Sequence, residues 1–195
     1  MKFPENIVLA SASPRRQSIL TEMGVPFEVI IHSIDEDFPS HLNRHEVAVY
    51  LAEKKAAAYH SEINSGKTVI TADTIVCLGN AILNKPANKT EAFKMLKSLS
   101  GTTHDVITAV CIRNKEISET FYSTTSVEFA DLDDDEINHY IELQKPFDKA
   151  GGYGIQEWIG MIGISKITGS YYNVVGLPAH EVYSRLKKLS HKATP

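Results

Sequence analysis

The amino-acid sequence predicts a mixed α/β fold, in which helices flank a sheet with both parallel and antiparallel strands. Short apolar runs typical of strands alternate with segments of helical spacing along the chain. Turn signals at residues 79–80 and 113–115 join neighbouring strands, which indicates antiparallel hairpins. The 195 residues are enough for one domain, with or without two lobes.

The chain is predicted to begin with a buried strand, a polar turn and a helix. Residues 6–10 form a short apolar run. Ser13 followed by Pro14 is typical of a helix N-cap and a first helical position. This helix ends at Gly24, and residues 27–31 are predicted to form the second strand.

The middle of the chain is predicted to alternate helix and strand. An Ala-rich segment over residues 47–63 has helical spacing and ends before Gly66. Residues 69–78 form a strong strand, and residues 81–83 form its hairpin partner. A further helix covers residues 90–99.

The remaining elements complete the alternation. The predicted order is a strand over 103–112, a strand over 116–129, a helix from Asp133 to about Leu143, a Gly-rich loop over 148–154, strand character with glycine breaks over 155–167, and an amphipathic helix over 178–189. The tail after about residue 190 is predicted to be loose. All 195 residues are predicted to form a single domain.

The composition excludes several classes of protein. Hydrophobic residues make up 43% and charged residues 23% of the chain, which excludes disordered, collagen-like and coiled-coil proteins. The net charge of −4 disfavours nucleic acid and anionic membranes as partners. Neither a signal-peptide layout nor an apolar window of about 18 residues is present, so we expect a cytoplasmic protein without a membrane partner. Cys77 and Cys111 lie in separate apolar runs, which favours buried, reduced thiols.

A polar turn with two arginines follows the first strand. Ser11 and Ser13 bring hydroxyls to the predicted helix N-terminus, where main-chain amides favour anions. Arg15 and Arg16 lie in the first helical turn, where positive charge opposes the helix dipole. The pattern indicates an anion-binding turn, with an exposed basic turn as the alternative.

A carboxylate interrupts the strongest predicted strand. Asp73 lies between apolar residues, where an acid is costly unless a cation or a metal binds it. Lys85 follows one hairpin later and can return a cation to the same place. The alternative is an aspartate that caps a local turn. The Gly-rich loop over 148–156 is flexible enough for close approach to a ligand.

Other motifs were weighed against known ligand sites. Residues 65–68 match only the end of a phosphate-binding P-loop, and they precede a strand instead of following one. Asp131, Asp133 and Asp135 have the first spacings of a calcium loop, but Glu136 occupies the position of its obligatory glycine. A solvated helix N-terminus is therefore the better interpretation of these aspartates.

The chain resembles the Maf family of nucleoside triphosphate pyrophosphatases over nearly its whole length. Each motif is modest, but the order and spacing of the motifs together are specific. The matching segments are LASASPRR (9–16), DE (35–36), LAEKKA (51–56), ADTIV (72–76), KP (85–86), LSG (99–101), DKAGGYGIQ (148–156) and GSYYNVVGLP (169–178).

The resemblance implies an elongated, twisted sheet flanked by helices, with two lobes around a central cleft, as in inosine triphosphatases. It implies hydrolysis of a nucleoside triphosphate to the monophosphate and pyrophosphate with a divalent cation. Asp73 matches the proton acceptor, and Arg15, Thr74 and Gln156 match residues associated with substrate choice. The SPRR, ADT and GIQ motifs around these three residues resemble those of the family branch that hydrolyses dTTP and UTP. Glu157 departs from the pattern, which is expected to have a glycine there.

The expected site combines cations with two acids. Arg15, Arg16, Lys55 and Lys85 would bind the triphosphate, with Lys55 directed from the second helix into the cleft. Glu36 and Asp73 would bind Mg²⁺ or Mn²⁺, and Glu36, Asp73 and Lys85 form the catalytic group. Ser11, Ser13, Thr74 and Gln156 complete the substrate-binding set, although Thr74 and Gln156 suit a structural role equally well.

Two other functions fit the same motifs. One is a nucleotide-binding regulator, of cell division for example, with little or no turnover. The other is a house-cleaning pyrophosphatase for modified nucleotides. The metal-type acids beside the cations favour an enzyme, because a binding module needs only the cations. A homodimer is the commonest assembly for a soluble chain that associates with itself.

Overall fold

The computed structural model describes residues 3–192 and has the predicted mixed α/β architecture. Its strands are β1 (Ile7–Leu9), β2 (Glu28–Val29), β3 (Thr68–Leu78), β4 (Ala81–Leu83), β5 (Thr103–Arg113), β6 (Ser118–Phe129) and β7 (Ile164–Thr168). Its helices are α1 (Pro14–Glu22), α2 (Arg44–Ala57), α3 (His60–Asn64), α4 (Lys89–Leu99), α5 (Asp134–Gln144), α6 (Trp158–Ile162), α7 (Tyr171–Val175) and α8 (Ala179–Lys192), and a 3₁₀ helix covers Ala150–Gly152.

Across residues 3–192 the strands form one seven-stranded sheet in the order β2-β1-β3-β5-β6-β7, with β4 paired to β3 outside this order. The strand β1 is parallel to both of its neighbours, and Val8 lies opposite Glu28 on one side and Val69 on the other. The pairs β3–β4 and β6–β7 are antiparallel. Leu78 lies opposite Ala81, which confirms the predicted hairpin and the mixed sheet.

The described residues divide into two compact units. The first comprises the residues up to Asp73, Thr108–Ser123 and the residues from Gly176 onward, and the second comprises Thr74–Ile107 and Thr124–Val175. Three of the four boundaries fall inside β3, β5 and β6, and the fourth follows α7, so each of these long strands contributes residues to both units. Consecutive residues of one strand, Asp73 and Thr74, therefore belong to different units.

Each unit has its own apolar core. In the first unit, Val8 and Val69 from the parallel strands pack with Tyr59 and Ile63. In the second unit α4 packs against α5 and against the 3₁₀ helix. The buried side chains of its core include Leu96, Leu99, Ile137, Ile141 and Ile159. Removal of this apolar surface from water is the main stabilising term in each unit.

The prediction of one helix over residues 47–63 is wrong, because the helix is interrupted at residues 58–59. Tyr59 has non-helical dihedral angles and is buried. Its hydroxyl donates to the carbonyl of Ile30 and accepts from the amide of His32, each at 3.0 Å. These contacts with a distant segment hold Tyr59 in place, and the hydrophobic spacing alone does not reveal them.

The prediction of a strand over residues 155–167 is only partly right. The helix α6 occupies Trp158–Ile162, and the strand β7 begins at Ile164. A side chain at residue 160 would collide with the carbonyl oxygen of Ile155, so Gly160 allows this tight packing. Short apolar runs do not distinguish helix from strand. The short helix α7 was also not predicted.

The C-terminal helix and the cysteines agree with the sequence for the residues described. The helix α8 continues to Lys192, and the rest of the tail predicted to be loose lies outside the described residues. Cys77 and Cys111 are buried and take part in no disulfide within the described residues, and burial raises the pKa of Cys111. Within residues 3–192 no helix is long and apolar enough to cross a membrane.

Reciprocal capping bonds start two of the helices. Asn43 accepts from the amide of Glu46 at the start of α2, and Asp133 accepts from the amide of Glu136 at 2.8 Å at the start of α5. The side chain of Glu136 in turn accepts from the Asp133 amide at 2.9 Å. This confirms a helix N-terminus, in place of a calcium loop, for the aspartates around residue 133.

Replacement of Asp133 tests this cap. Asp133→Ala should lower the stability by about 1 kcal/mol, since an orphaned helix amide loses its acceptor. For a chain of this size that corresponds to a fall in Tm of about 2–4 °C. Asp135→Ala, inside the same helical turn, is the control and should change Tm by less. Equal losses for the two variants, or a rise in wild-type Tm on addition of Ca²⁺, would contradict the assignment.

His104 is a buried titratable group in the core of the second unit. It is 2% exposed, and its Nε2 lies 2.7 Å from the Tyr153 hydroxyl. Its ring meets the rings of Phe129 and Tyr153 edge to face. Burial lowers the pKa of His104 from 6.5 to about 4, against the weaker opposing effect of Asp105. The folded state therefore favours the neutral imidazole.

This shift predicts a pH-dependent stability. The unfolded chain binds a proton at His104 below pH 6.5, but the folded chain does so only near pH 4. Above pH 6.5 His104 is neutral in both states and does not lower the free energy of unfolding. As the pH falls from 6.5 toward 4, protonation of the unfolded chain lowers that free energy by on the order of 3 kcal/mol. Urea unfolding of His104→Gln should show a flatter decline across this range than wild type. His41→Gln, at an exposed histidine, is the control. Parallel wild-type and His104→Gln curves would contradict the assignment.

Candidate active site

The turn between β1 and α1 forms one part of the candidate site. Ser13 is the N-cap and Pro14 is the first residue of α1, as predicted. The Ser13 amide lies 3.3 Å from the hydroxyl oxygen of Ser11, to which it donates. Arg15 and Arg16 both lie half-buried in the first helical turn. The predicted strand–turn–helix arrangement is therefore present, and it places Ser11, Ser13, Arg15 and Arg16 in one turn and the start of one helix.

Arg16 braces this turn against the neighbouring backbone. Its Nε donates to the carbonyl of Gly176 at 2.8 Å, and its Nη1 donates to the carbonyl of Ala72 at 2.9 Å and to the Ser11 hydroxyl at 3.3 Å. Burial lowers the pKa of Arg16, while the charge of Asp73 raises it. An arginine stays cationic in this setting, so Arg16 places a fixed positive charge beside the residue that precedes Asp73.

The carboxylate of Asp73 forms an ion pair with Lys55. Asp73 is 8% exposed in β3, and the Nζ of Lys55 on α2 lies 2.6 Å from its Oδ1. The same Nζ lies 2.7 Å from Oε1 of Glu36, whose side chain is half-exposed. One ammonium therefore bridges a buried and an exposed carboxylate. We call Glu36, Lys55 and Asp73 the acid–lysine cluster.

The strand period and one hydrogen bond explain why Asp73 meets Lys55. Thr71 and Asp73 are two residues apart, so their side chains lie on the same face of β3. The Thr71 hydroxyl donates to the carbonyl of Ala52 on α2 at 2.7 Å. Lys55 is one helical turn after Ala52 and reaches the next residue on that face of the strand. The hydrogen bond between Thr71 and Ala52 thus places Lys55 beside Asp73.

The second unit contains the other predicted residues. Thr74 is half-buried in β3, Lys85 is exposed after β4, and Gln156 is exposed at the end of the Gly-rich loop. The amide of Gly151 in this loop donates to the carbonyl of Asn84 at 3.2 Å. The loop therefore packs on the β3–β4 hairpin that carries Thr74 and Lys85.

A cluster of polar side chains anchors the Gly-rich loop, and sequence analysis gave its members no role. The Nζ of Lys149 lies 3.1 Å from Oε1 of Glu157 and 2.7 Å from Oδ1 of Asp148. The Tyr140 hydroxyl donates to Oε2 of Glu157 and accepts from the Gly154 amide at 3.0 Å. The signal in the sequence was Glu157 itself, a charged residue where the family pattern suggests glycine.

The structure thus sorts the predicted residues into two groups. The first unit contains Ser11, Ser13, Arg15, Arg16, Glu36, Lys55 and Asp73. The second contains Thr74, Lys85 and Gln156. Among residues 3–192, no group of three or more His, Cys, Asp or Glu side chains is arranged to hold a metal ion. A cation at the two acids of the first group would need further oxygen ligands from solvent or from a ligand.

A family model and curated relatives match nearly the whole chain. A family model described as Maf-like protein matches residues 6–189. The dTTP/UTP pyrophosphatase of Phocaeicola vulgatus is 48% identical over 184 residues, which cover 94% of this chain and 95% of that protein. The dTTP/UTP pyrophosphatase of Parabacteroides distasonis is 49% identical over 182 residues, covering 93% and 94%. The solved structure of the Staphylococcus aureus Ham1 protein is 18% identical with a TM-score of 0.48 and covers 93% of this chain and 100% of its own, a likeness too weak to carry an argument.

A double-mutant cycle tests the acid–lysine cluster. Lys55→Met leaves the buried Asp73 carboxylate without its ammonium, and Asp73→Asn leaves the ammonium without its buried partner. Each change should destabilise the fold, and the double variant should recover part of the loss, with a coupling of about 1–3 kcal/mol. The measurement is urea unfolding of the four proteins.

The exposed pair Lys67–Glu28 provides the matched control. Its Nζ–Oε1 distance is 2.6 Å, but both side chains are more exposed than those of Lys55 and Asp73. Its coupling should stay below about 1 kcal/mol. A Lys55–Asp73 coupling no larger than this would show that the buried pair is not an energetic unit.

Proposed function

The chain belongs to the Maf-like protein family, and from this membership we propose that it is a nucleoside triphosphate pyrophosphatase. It hydrolyses dTTP and UTP, and modified pyrimidine nucleotides of the same shape, to the monophosphate and pyrophosphate. Two relatives that are 48% and 49% identical over most of the chain are dTTP/UTP pyrophosphatases, which supports this proposal. The observation that carries it is the acid–lysine cluster beside an arginine-containing turn.

The acid–lysine cluster favours catalysis over simple binding. A protein that only binds a polyphosphate needs cations, and a buried carboxylate among them would repel the ligand. The Asp73 carboxylate is instead kept in place by Lys55 at 2.6 Å, while Arg16 binds the carbonyl of the preceding residue. A carboxylate fixed in one position by such contacts is suited to orient a water molecule whose proton it accepts.

A divalent cation fits the donor set that the chain provides. The carboxylates of Glu36 and Asp73 already converge on one positive group, the Lys55 ammonium. Two hard oxygen donors suit Mg²⁺ or Mn²⁺, which take only a few ligands from protein. Glu36 and Asp73 would hold the ion. When bound, the ion supplies polarisation of phosphate oxygens and a lower pKa of a bound water.

The chain's own residues account for the remaining steps. Asp73 orients a water toward the α-phosphorus and accepts its proton as the new P–O bond forms. The bond between the α-phosphorus and the bridging oxygen breaks, and pyrophosphate leaves. Arg15, Arg16, Lys55 and Lys85 balance the charge that grows on the leaving oxygens. The hydroxyls of Ser11 and Ser13 and the amides of the α1 N-terminus bind phosphate oxygens.

Residues of the second unit select the base of the substrate. Thr74 and Gln156 offer a hydroxyl and a carboxamide, which can donate to and accept from the edge of a pyrimidine. A site that hydrogen-bonds a base edge rejects bases that leave its polar groups unpaired. The cytoplasm is the proposed location, because it holds the nucleotide pools and keeps thiols such as Cys77 and Cys111 reduced.

A nucleotide panel with Asp73→Asn tests the function. Wild type with Mg²⁺ should release pyrophosphate from dTTP and UTP much faster than from purine triphosphates. Asp73→Asn should lower kcat by at least about 100-fold, because the proton acceptor is lost while the shape is kept. Nucleotide affinity, measured by calorimetry, should change little.

The matched control is Asp134→Asn, which makes the same carboxylate-to-amide change in an exposed ion pair with Lys97. It should keep wild-type turnover. Wild type that binds dTTP without releasing pyrophosphate would support a nucleotide-binding regulator instead. Near-normal turnover by Asp73→Asn would show that another group accepts the proton.

A further inference from the structure

Hydrogen bonds and an ion pair connect the Gly-rich loop to two residues outside it. We call Tyr140, Lys149, Gly154 and Glu157 the Glu157 cluster. The Glu157 carboxylate lies at its centre, with the Lys149 ammonium 3.1 Å from Oε1 and the Tyr140 hydroxyl donating to Oε2. The amide of Gly154 donates to the same Tyr140 hydroxyl at 3.0 Å. Both ends of the loop are therefore bound to one carboxylate, directly or through Tyr140.

The cluster is shielded from solvent. The side chains of Lys149 and Glu157 are 9% and 16% exposed, and Tyr140 is fully buried. Burial raises the pKa of Tyr140, and the Glu157 carboxylate raises it further, so the phenol stays protonated and keeps donating. Buried ionic groups are costly when one partner is removed, which makes the geometry of this cluster hard to change.

The carboxylate also lies directly against the backbone of residue 154. A Cβ on Gly154 would lie 2.7 Å from the carboxyl carbon of Glu157 and 2.9–3.0 Å from its oxygens. The amide of Glu157 donates to the Gly154 carbonyl at 3.0 Å, which closes a turn around residues 155 and 156. Gln156 therefore projects from a turn whose first and last residues are both held by the Glu157 cluster.

We propose that Glu157 is a positioning residue that fixes the direction of the Gln156 carboxamide and thereby sets the discrimination between pyrimidine bases. The inference rests on the proposed function, in which Gln156 meets the base edge. Base discrimination depends on the exact position of a hydrogen-bond donor and an acceptor. Residues that contact the binding residue, and not the ligand, hold these groups in position. A glycine at residue 157 would offer no carboxylate to Lys149 or to Tyr140.

Trp158 makes this role measurable without turnover. It is the only tryptophan of the chain and directly follows Glu157. Its ring meets the ring of His139 edge to face with centroids 5.0 Å apart. The fluorescence of this single residue therefore reports on the segment that carries Gln156.

The experiment compares wild type with Glu157→Gln, which keeps the size of the side chain and removes the charge. Titration of Trp158 fluorescence with the α,β-imido analogues of UTP and CTP gives an affinity ratio for the two bases. Steady-state kinetics with UTP gives KM and kcat. We expect the affinity ratio to fall by at least about five-fold and KM to rise by about ten-fold, with kcat within about three-fold of wild type.

The control and the second variant separate positioning from a general loss of structure. Glu142→Gln removes one side of the exposed ion pair Lys89–Glu142 in the same unit, and it should leave the ratio, KM and kcat unchanged. If Glu157→Gln does not fold, Tyr140→Phe removes only the hydroxyl and is judged by the same affinity ratio. A double variant, Lys149→Met with Glu157→Gln, should recover stability but not discrimination.

The outcomes separate this inference from the function on which it rests. An unchanged UTP-to-CTP ratio in folded Glu157→Gln or Tyr140→Phe overturns the positioning role, whatever the turnover. A lower ratio with kcat retained supports it. Wild type that releases no pyrophosphate from any triphosphate overturns the proposed function, and the fluorescence ratio then still decides whether Glu157 positions a base-binding segment.

Discussion

The Asp73 carboxylate interrupts an apolar strand, and the Lys55 ammonium holds it there at a distance of 2.6 Å. An acid in such a strand is tolerated only when a cation accompanies it. The pairing depends on the position of α2 along β3, which the hydrogen bond from Thr71 to the Ala52 carbonyl maintains. Glu36 forms an ion pair with the same ammonium at 2.7 Å. The proposed cation ligands and the proposed proton acceptor are therefore the two carboxylates that one ammonium contacts.

The positively charged side chains of the first unit contact different kinds of group. Lys55 is committed to two carboxylates, and Arg16 to the carbonyls of Ala72 and Gly176. The guanidinium of Arg16 therefore supports the backbone beside Asp73 as well as supplying charge. Arg15 is half-buried in the first unit, and Lys85 is exposed in the second. Cations that protein contacts already hold near an acid are consistent with the electrostatic preorganisation that the proposed reaction needs.

Sequence reasoning predicted those parts of the structure that local chemistry decides. The Ser13–Pro14 helix start, the hairpin after Leu78 and the helix start at Asp133 each follow from residues within one turn. The break at Tyr59 could not be predicted, since it depends on contacts with residues 30 and 32. The same holds for the helix α6, whose close packing depends on the Ile155 carbonyl meeting a residue without a side chain.

Only some residues of the candidate site could be selected from the sequence. Asp73 was conspicuous because it breaks an apolar run, whereas the motif resemblance was needed to select Glu36 from an acidic segment. The contacts of Lys149, Tyr140 and Glu157 join residues up to 17 positions apart, and no periodic pattern links them. Residues that act on the ligand leave a signal in motifs, but residues that act through other residues become visible only in three dimensions.

The most direct test of the central claim, that a water activated beside Asp73 attacks the α-phosphorus, is to follow the oxygen of that water. Hydrolysis of UTP by the wild-type protein in ¹⁸O-labelled water, with mass spectrometry of both products, locates the new bond. Attack at the α-phosphorus should leave one ¹⁸O atom in the nucleoside monophosphate and none in the pyrophosphate released. Label in the pyrophosphate would place the attack at the β-phosphorus and contradict the account.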